Sequence, residues 1–408
     1  MSDIKRVWAS YSGAGQPLFG LAFVTSLLTI VTLGIYRFWA KTRIRKYIWS
    51  SVQIGNDRLE YTGTGLEKFL GFLIAVVVLA VYLGLVQMIL FYFGLRFVFE
   101  PQTVAEFIAQ VSVFYISFFA VIPLMLFARY RARRYLMART RLRGIRFGMD
   151  KAAWGYVWRA ILHGLASFAS LGILLPRQTF YLEKYKTDRS YYGDQRFEQN
   201  GRWTELYPAM LHIFIGAGLI IAGITVSILT SKGSWADGNG TPGIFGVLLS
   251  VMGYIWGLLG YIHYRVRSFS YLTQHKVLAS NIGFHAVPST GAVIKIYILG
   301  ALGMGLLAAL ATLFFGIVFG FLANGATMFA EASPGMAGII MTVLAYMGAL
   351  ALFGSLALVL ITQPIIAHFV DALAINNPQA LDTIVQRAHD AGADAEGFAD
   401  ALDIGSAI

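Results

Sequence analysis

Few ionisable side chains interrupt the apolar stretches of this chain, and those few are the first candidates for chemistry. Arg159 and His163 lie four residues apart in one apolar run, so a helix would place them on the same face. His212 lies about one turn inside another run. Because titratable groups within an apolar span usually face a polar pathway, we expect Arg159, His163 and His212 to line one. The alternative is headgroup contact for Arg159 and simple packing for His163.

No enzyme motif accompanies these residues. The chain has seven His and no Cys, and its His are not at metal-ligand spacing. It also has no phosphate-binding loop and no clear nucleophile motif. We therefore expect no catalytic residue, metal or cofactor. An enzyme acting on lipid stays open as one alternative function.

A second set of candidates is basic and aromatic. The stretch 33–63 follows an apolar run and reads LGIYRFWAKTRIRKYIWSSVQIGNDRLEYTG. Trp and Tyr anchor at the level of lipid headgroups, and Lys and Arg attract anionic lipid there. Nucleic acid is not expected as a partner. The candidate headgroup contacts are Trp39, Lys41, Arg43, Arg45, Lys46, Arg131, Arg133, Arg134, Arg177 and Lys184.

Composition places these candidates in a membrane protein. Of 408 residues, 57% are hydrophobic and 13% are charged, against about half and a quarter in soluble domains. Six stretches are long enough to cross a bilayer, which takes about 20 apolar residues. They are Phe69–Leu95, Phe107–Ala128, Met210–Leu229, Ile244–Ile262, Ile296–Leu322 and Met336–Thr362.

The distribution of basic residues predicts the orientation of these spans. Segments 39–68, 129–153, 177–203 and 263–295 hold 25 Lys and Arg, whereas the three opposite connectors hold two. The positive-inside rule therefore places the basic segments and both termini in the cytoplasm. Two further apolar runs, Pro17–Phe38 and Trp154–Pro176, have cytoplasmic flanks on both sides. We interpret them as re-entrant or interfacial half-helices, with ordinary spans as the alternative.

The basic stretch recurs 138 residues later. Segments 33–63 and 171–201 share nine identical residues in 31 positions without a gap. In the first copy, apolar residues alternate around Gly-Asn-Asp, which predicts a β-hairpin. Weaker hairpin signals surround Gly144 and Gly283. The residues assigned to the hairpin turns and their flanks are Gly55, Arg58, Gly63, Gly193, Arg196 and Gly201.

The repeat predicts the fold class and the boundaries of its modules. We expect an all-α polytopic membrane protein with six spanning helices, two half-helices, short cytoplasmic β-hairpins and an internal two-fold repeat. Residues 1–152 and 153–290 form two modules, and residues 291–367 form a truncated third one. Residues 368–408 form a tail with seven acids, one base and an amphipathic helical pattern. We expect the tail to dock on the basic segments or to bind a cytoplasmic partner.

These features resemble the YjgN-like family of bacterial inner-membrane proteins. The resemblance is carried by LLTIVTLGIYRFWAKTRIRKY, by the G-x-x-R-x-x-Y-x-G hairpin and by the closing EGFADALDIG. It implies the bacterial inner membrane but no activity. Repeats and half-helices favour a transporter, channel or lipid-handling protein. The alternative is a non-enzymatic scaffold or regulatory protein whose tail binds a partner, and the oligomeric state is open.

Overall fold

Helices make up most of the protein. The computed structural model describes residues 6–97, 99–231, 241, 243–327 and 336–387, and it gives the backbone only for residues 315, 317–327 and 336–342. The first helices are α1 (Gly15–Val31), α2 (Arg37–Ser50), α3 (Gly65–Tyr92), α4 (Val104–Ala138), α5 (Ala153–Ala169) and α6 (Leu175–Thr187). The later ones are α7 (Tyr207–Leu229), α8 (Ile244–Gln274), α9 (Thr290–Thr327), α10 (Met336–Ala357) and α11 (Gln363–Asp371).

Ten short strands in the described residues close into one antiparallel barrel. The strand order around the barrel is β1, β10, β9, β8, β7, β6, β5, β4, β3 and β2, and β2 pairs with β1 to close the ring. The strands are β1 (Arg6–Tyr11), β2 (Val52–Ile54), β3 (Asp57–Tyr61), β4 (Thr140–Leu142), β5 (Ile145–Met149), β6 (Ser190–Tyr192), β7 (Gln195–Gln199), β8 (Lys276–Leu278), β9 (Ile282–Ala286) and β10 (Leu373–Asn376).

The barrel shows that the predicted all-α fold class is wrong. The four hairpins are not separate segments, because neighbouring hairpins pair edge to edge, as Glu60 does with Arg141. Strands β1 and β10 close the ring through pairs such as Val7 with Ile375. A free hairpin would leave two rows of unpaired backbone groups, and closure removes both edges.

The helices join the barrel at one end, because strands β2 to β9 each connect a hairpin turn to a helix, β1 leads into α1 and β10 follows α11. We name this the helix end and the opposite one the turn end. Backbone geometry at the turn end favours glycine at two matching positions. Gly55 and Gly193 each take the first turn position, with φ of +64° and +56°, a region that costs other L-residues energy.

Six helical segments in the described part are long and apolar enough to cross a membrane. They confirm the six predicted spans, with bounds of Gly65–Tyr92, Val104–Ala138, Trp203–Leu229, Ile244–Gln274, Thr290–Phe314 and Val343–Asp371. The two extra apolar runs form the short helices α1 and α5, each of which packs on the helix that follows it, α2 or α6. The turns between them match, with φ of +51° at Leu33 and +52° at Leu171.

Helices α7 and α8 pack against each other through glycines. A methyl group on Gly216 would lie 2.7 Å from the Cα of Gly257, and one on Gly253 would lie 2.7 Å from the nitrogen of Ile220. Larger side chains would separate the two backbones, so small residues set the distance between these helices.

Candidate functional site

The barrel encloses an apolar cavity of about 460 Å³. Alternation along each strand directs every second side chain inward, as Thr140 and Leu142 show on β4. The strands contribute the apolar lining residues Ala9, Val52, Ile54, Leu59, Leu142, Phe147, Phe197, Leu278, Phe284, Leu373 and Ile375.

The few polar groups in the cavity wall satisfy one another. The hydroxyl of Tyr192 donates to the carbonyl of Leu142 at 2.9 Å. The indole nitrogen of Trp49 donates to the hydroxyl of Thr140 at 3.1 Å. Burial raises the pKa of Tyr192 to about 12, so its hydroxyl stays neutral. The cavity therefore presents an uncharged surface suited to an apolar ligand.

Different elements bound the cavity at its two ends. At the helix end the wall comes from α2, α4 and α11, and at the turn end it comes from Leu381 of the C-terminal segment. The helices contribute Ile48, Trp49, Leu136, Met137, Ile366 and Val370.

The C-terminal segment 378–387 crosses the turn end as a short 3₁₀ helix, Pro378–Thr383, followed by extended chain. Leu381 and Ile384 are 5% and 4% exposed and pack with the barrel core. The amphipathic pattern of the tail predicted an α-helix with one apolar face. Leu381 and Ile384 do face the barrel, but they do not lie on an α-helix, and Val385 is exposed. The remainder of the predicted amphipathic pattern, from Ala388 onward, lies outside the described residues.

Polar contacts join this segment to the hairpin turns. Asp382 accepts from Arg143 at 2.6 Å. The backbone nitrogen of Asp194 donates to the carbonyl of Val385 at 2.9 Å, and the Val385 nitrogen donates to the Asp194 carboxylate at 3.2 Å. The segment therefore covers the turn end through two neighbouring hairpins.

A second cavity, of about 620 Å³, lies between the helices beside the helix end of the barrel. At its wall Glu183 accepts from both terminal nitrogens of Arg133, at 2.9 and 3.3 Å. Lys186 lies 2.7 Å from the same carboxylate and Lys276 lies 3.7 Å from it. Helices α4 and α6 and strand β8 thus bring three cations to one carboxylate.

The pKa values of this cluster follow from burial and charge. The side chains of Glu183, Lys186 and Lys276 are only 19%, 15% and 22% exposed. Desolvation opposes ionisation of Glu183, but Arg133, Lys186 and Lys276 outweigh it and hold its pKa well below the usual value. Burial lowers the pKa of Lys186 to about 8 and also lowers that of Lys276.

The predicted headgroup residues occupy several environments. Arg133 belongs to the cluster around Glu183. Arg45 and Arg134 are buried, at 0% and 5% exposed, with Arg45 donating to the Tyr61 hydroxyl at 3.3 Å. Lys184 donates to the carbonyl of Gln199 at 2.6 Å. The other six are half-buried or exposed: Trp39, Lys41, Arg43, Lys46, Arg131 and Arg177.

The predicted turn residues divide between turns and strands. Arg58 and Arg196 lie on the long strands of their hairpins, where Arg196 pairs with Asp150 at 3.2 Å. Gly63 and Gly201 each follow a long strand, and Gly201 has a φ of +95°.

Of the three predicted pathway residues, Arg159 and His163 lie one turn apart on α5, whereas His212 lies on α7. Arg159 stacks on Tyr185 with its guanidinium 4.7 Å from the ring centre. His163 stacks on Tyr181 at 5.5 Å between ring centres. His212 lies on α7 with its ring centre 5.0 Å from that of His263.

Sequence reasoning missed Glu183, Lys186 and Lys276 as a cluster. Lys186 follows Glu183 at i+3, a common helical ion pair, but this spacing alone marks no site. Lys276 and Arg133 are 93 and 50 residues from Glu183 by their sequence numbers, so only barrel closure brings them together. The apolar cavity was missed because the sequence did not predict the barrel that encloses it.

Comparisons with known proteins agree on the family. The chain is 27% identical over 151 residues to "Inner membrane protein YjgN" of Salmonella typhimurium, covering 36% of this chain and 33% of that protein. It is 26% identical over 148 residues to the protein of that name in Escherichia coli, covering 36% and 32%. The matched region thus spans about a third of these curated relatives. No solved structure matches.

These relatives and the six apolar helices identify the chain as an integral, multi-pass inner-membrane protein. The resemblance predicted from the hairpin and closing motifs is confirmed. A family model matches residues 7–401. The chain therefore belongs to the family described as "Bacterial protein of unknown function (DUF898)".

Proposed function

We propose that this protein handles lipid, and that its barrel binds an apolar chain of a membrane lipid. The observation that carries the proposal is the uncharged cavity of about 460 Å³ inside the barrel. Ligand sites have volumes of about 300–1,000 Å³ and mostly apolar walls. Protein interiors are otherwise close-packed, with few voids larger than a water molecule.

The surroundings of the cavity favour a lipid over a soluble ligand. Its helix end is bounded by α4 and α11, and the candidate spans Val104–Ala138 and Val343–Asp371 contain these helices. An apolar chain entering from the bilayer would pass between such helices without crossing water. Apolar cavities of this kind stay dry and take up apolar molecules.

The orientation and organisation of the chain form part of this proposal. The barrel, both termini and all hairpins lie in the cytoplasm, supported by the split of 25 to two Lys and Arg. Helix pairs α1–α2 and α5–α6 are re-entrant or interfacial, and the chain repeats a unit of helix pair plus β-hairpin. Support comes from the equal 17-residue lengths of α1 and α5 and from the matching turns at Leu33 and Leu171.

The modules proposed from the sequence, 1–152, 153–290, 291–367 and 368–408, contribute unequally to the barrel. The first supplies β1 to β5, the second supplies β6 to β9, and the last supplies β10. Such modules would therefore complete the lipid site only together.

The test is lipid retention by two neighbouring variants of one strand. Ala9 is 4% exposed and lines the cavity, whereas Ser10 is exposed on the other face of β1. Each variant, Ala9→Trp or Ser10→Trp, is extracted into nanodiscs with native lipid and exposed to a phospholipid carrying a photoreactive group in its acyl chain. We expect wild type and Ser10→Trp to crosslink at cavity residues, and Ala9→Trp to lose most of this crosslinking.

Equal crosslinking in both variants, or none at cavity residues in wild type, would contradict lipid binding. A scaffold or regulatory role, with segment 378–387 as the contact for a partner, would then be favoured. The observation that supports this second candidate is the exposed Asp382 and Val385 at the turn end.

A further inference from the structure

We propose that the cavity around Glu183 is an anion site that binds a phosphate group. The proposal rests on the proposed function only for the source of that phosphate, which would be a phospholipid whose acyl chain lies in the barrel. A free phosphate compound would be recognised by the same chemistry, so the experiment separates the two sources.

The charges facing this cavity are unbalanced. Five basic side chains and one acidic side chain line it. Arg133, Lys186 and Lys276 are partly buried, whereas Arg129 and Arg265 are exposed. The three partly buried cations lose hydration that one carboxylate does not replace. An anion with several acceptor oxygens would supply that compensation. The basic lining residues are Arg129, Arg133, Lys186, Arg265 and Lys276, and the acid is Glu183.

The hydrogen-bonding capacity of the cluster leads to the same conclusion. An Arg carries five N–H donors and each Lys carries three, whereas a carboxylate offers about four acceptor positions. Glu183 already accepts two bonds from Arg133 and lies 2.7 Å from Lys186. Lys276, at 3.7 Å, lies beyond ordinary hydrogen-bond distance from it. The cluster therefore holds donors in excess of its acceptors at the edge of a cavity.

The position of the cluster links it to the barrel. Lys276 lies two residues before Leu278 on β8, so both side chains face the same side of the strand. Arg133 lies one helical turn before Met137 on α4. Leu278 and Met137 line the apolar cavity. A phospholipid with its phosphate beside Lys276 would thus have its acyl chain next to the barrel interior.

The alternative is a purely structural ion-pair network. Such a network needs balanced charges and satisfied donors to offset desolvation. The excess of cations at this wall argues against a closed network and favours a ligand.

The experiment measures phosphate binding by the full chain in detergent through a ³¹P NMR titration with inorganic phosphate at pH 7. We expect Lys186→Gln and Lys276→Gln to weaken binding at least tenfold, and Lys186→Arg to retain it. Arg202→Gln is the control, since Arg202 is an exposed cation that does not line the cavity. Thermal unfolding of each variant shows whether it is folded.

No phosphate binding by wild type, or equal binding by Lys276→Gln and Arg202→Gln, would overturn the anion site. A second experiment decides whether the phosphate group comes from a lipid. It measures the phospholipid bound to each variant in nanodiscs of anionic or zwitterionic phospholipid. If Lys276→Gln and Ala9→Trp both reduce the bound phospholipid, the source is lipid. If phosphate binds at the cluster while Ala9→Trp has no effect on bound lipid, the anion site stands and the proposed lipid function fails.

Discussion

At the scale of single residues, the cluster around Glu183 gathers three cations around one partly buried carboxylate. Glu183 is held ionised by cations from α4, α6 and β8. Removing one partner of a buried ion pair usually costs more free energy than the pair itself contributes.

The first residue-scale prediction concerns stability. We expect Glu183→Gln to lower the free energy of unfolding by about 3 kcal/mol, because Arg133, Lys186 and Lys276 would lose their shared carboxylate. Thermal or denaturant unfolding in detergent measures this. We expect phosphate to restore more stability to this variant than to wild type. A change within about 0.5 kcal/mol, typical of surface substitutions, would contradict the importance of the cluster.

The second residue-scale prediction concerns pH. The pKa of Lys186 is lowered to about 8 by burial, with Glu183 acting against this and Arg133 and Arg129 adding to it. Below pH 8 Lys186 is therefore charged in the empty site, and above it the charge is lost. We expect phosphate affinity to fall as pH rises above about 8.

Lys186→Arg provides the control for this pH dependence, because a guanidinium stays protonated throughout the range. Between about pH 8 and 9.5, where inorganic phosphate is already a dianion, its phosphate affinity should fall less than that of wild type in the same NMR titration. A parallel decline in wild type and Lys186→Arg would assign the pH dependence to another group, with Lys276 the next buried amine in the cavity.

At the scale of elements, the C-terminal segment 378–387 covers the turn end of the barrel, and its contact with Gly193 can be broken selectively. A methyl group at Gly193 would lie 2.4 Å from the Val385 carbonyl oxygen, whereas one at Gly144 would meet nothing within 4 Å. Both residues have positive φ, +56° and +75°. Gly193→Ala and Gly144→Ala therefore share a similar backbone cost of about 1 kcal/mol.

We expect only Gly193→Ala to increase amide hydrogen exchange in residues 378–387, because only this variant displaces the segment. If the segment controls entry to the barrel, Gly193→Ala should also speed exchange of bound lipid. Equal exchange in both alanine variants would mean that the contact with Gly193 does not hold the segment in place.

The helices could be predicted from sequence, but the barrel could not. Long apolar runs such as Phe69–Leu95 identify a span by themselves. Strands of three to six residues carry little periodicity, and Val7 pairs with Ile375 from the far end of the chain. Hairpin turns at Gly55 and Gly193 were predicted because glycine marks them locally. The site around Glu183 depends on non-local pairing, which explains why its members were seen only as separate basic residues.

At the scale of the whole molecule, the proposed orientation places the barrel in the cytoplasm. The chain has no Cys, so single cysteines can report the side of the membrane. We expect Asn56→Cys, Asp194→Cys and Ser280→Cys, all exposed at hairpin turns, to resist an impermeant thiol reagent in intact spheroplasts. Glu100→Cys, exposed between α3 and α4, should label. Labelling of the three turn cysteines with protection of Glu100→Cys would refute the cytoplasmic placement of the barrel.

Whether a lipid chain occupies the barrel is measured most directly by an experimental density map of the full protein extracted in native lipid. We expect elongated density between Leu142, Phe197 and Ile375, continuous with a headgroup beside Lys276. A barrel whose inward side chains have closed onto one another, with no such density, would contradict this expectation.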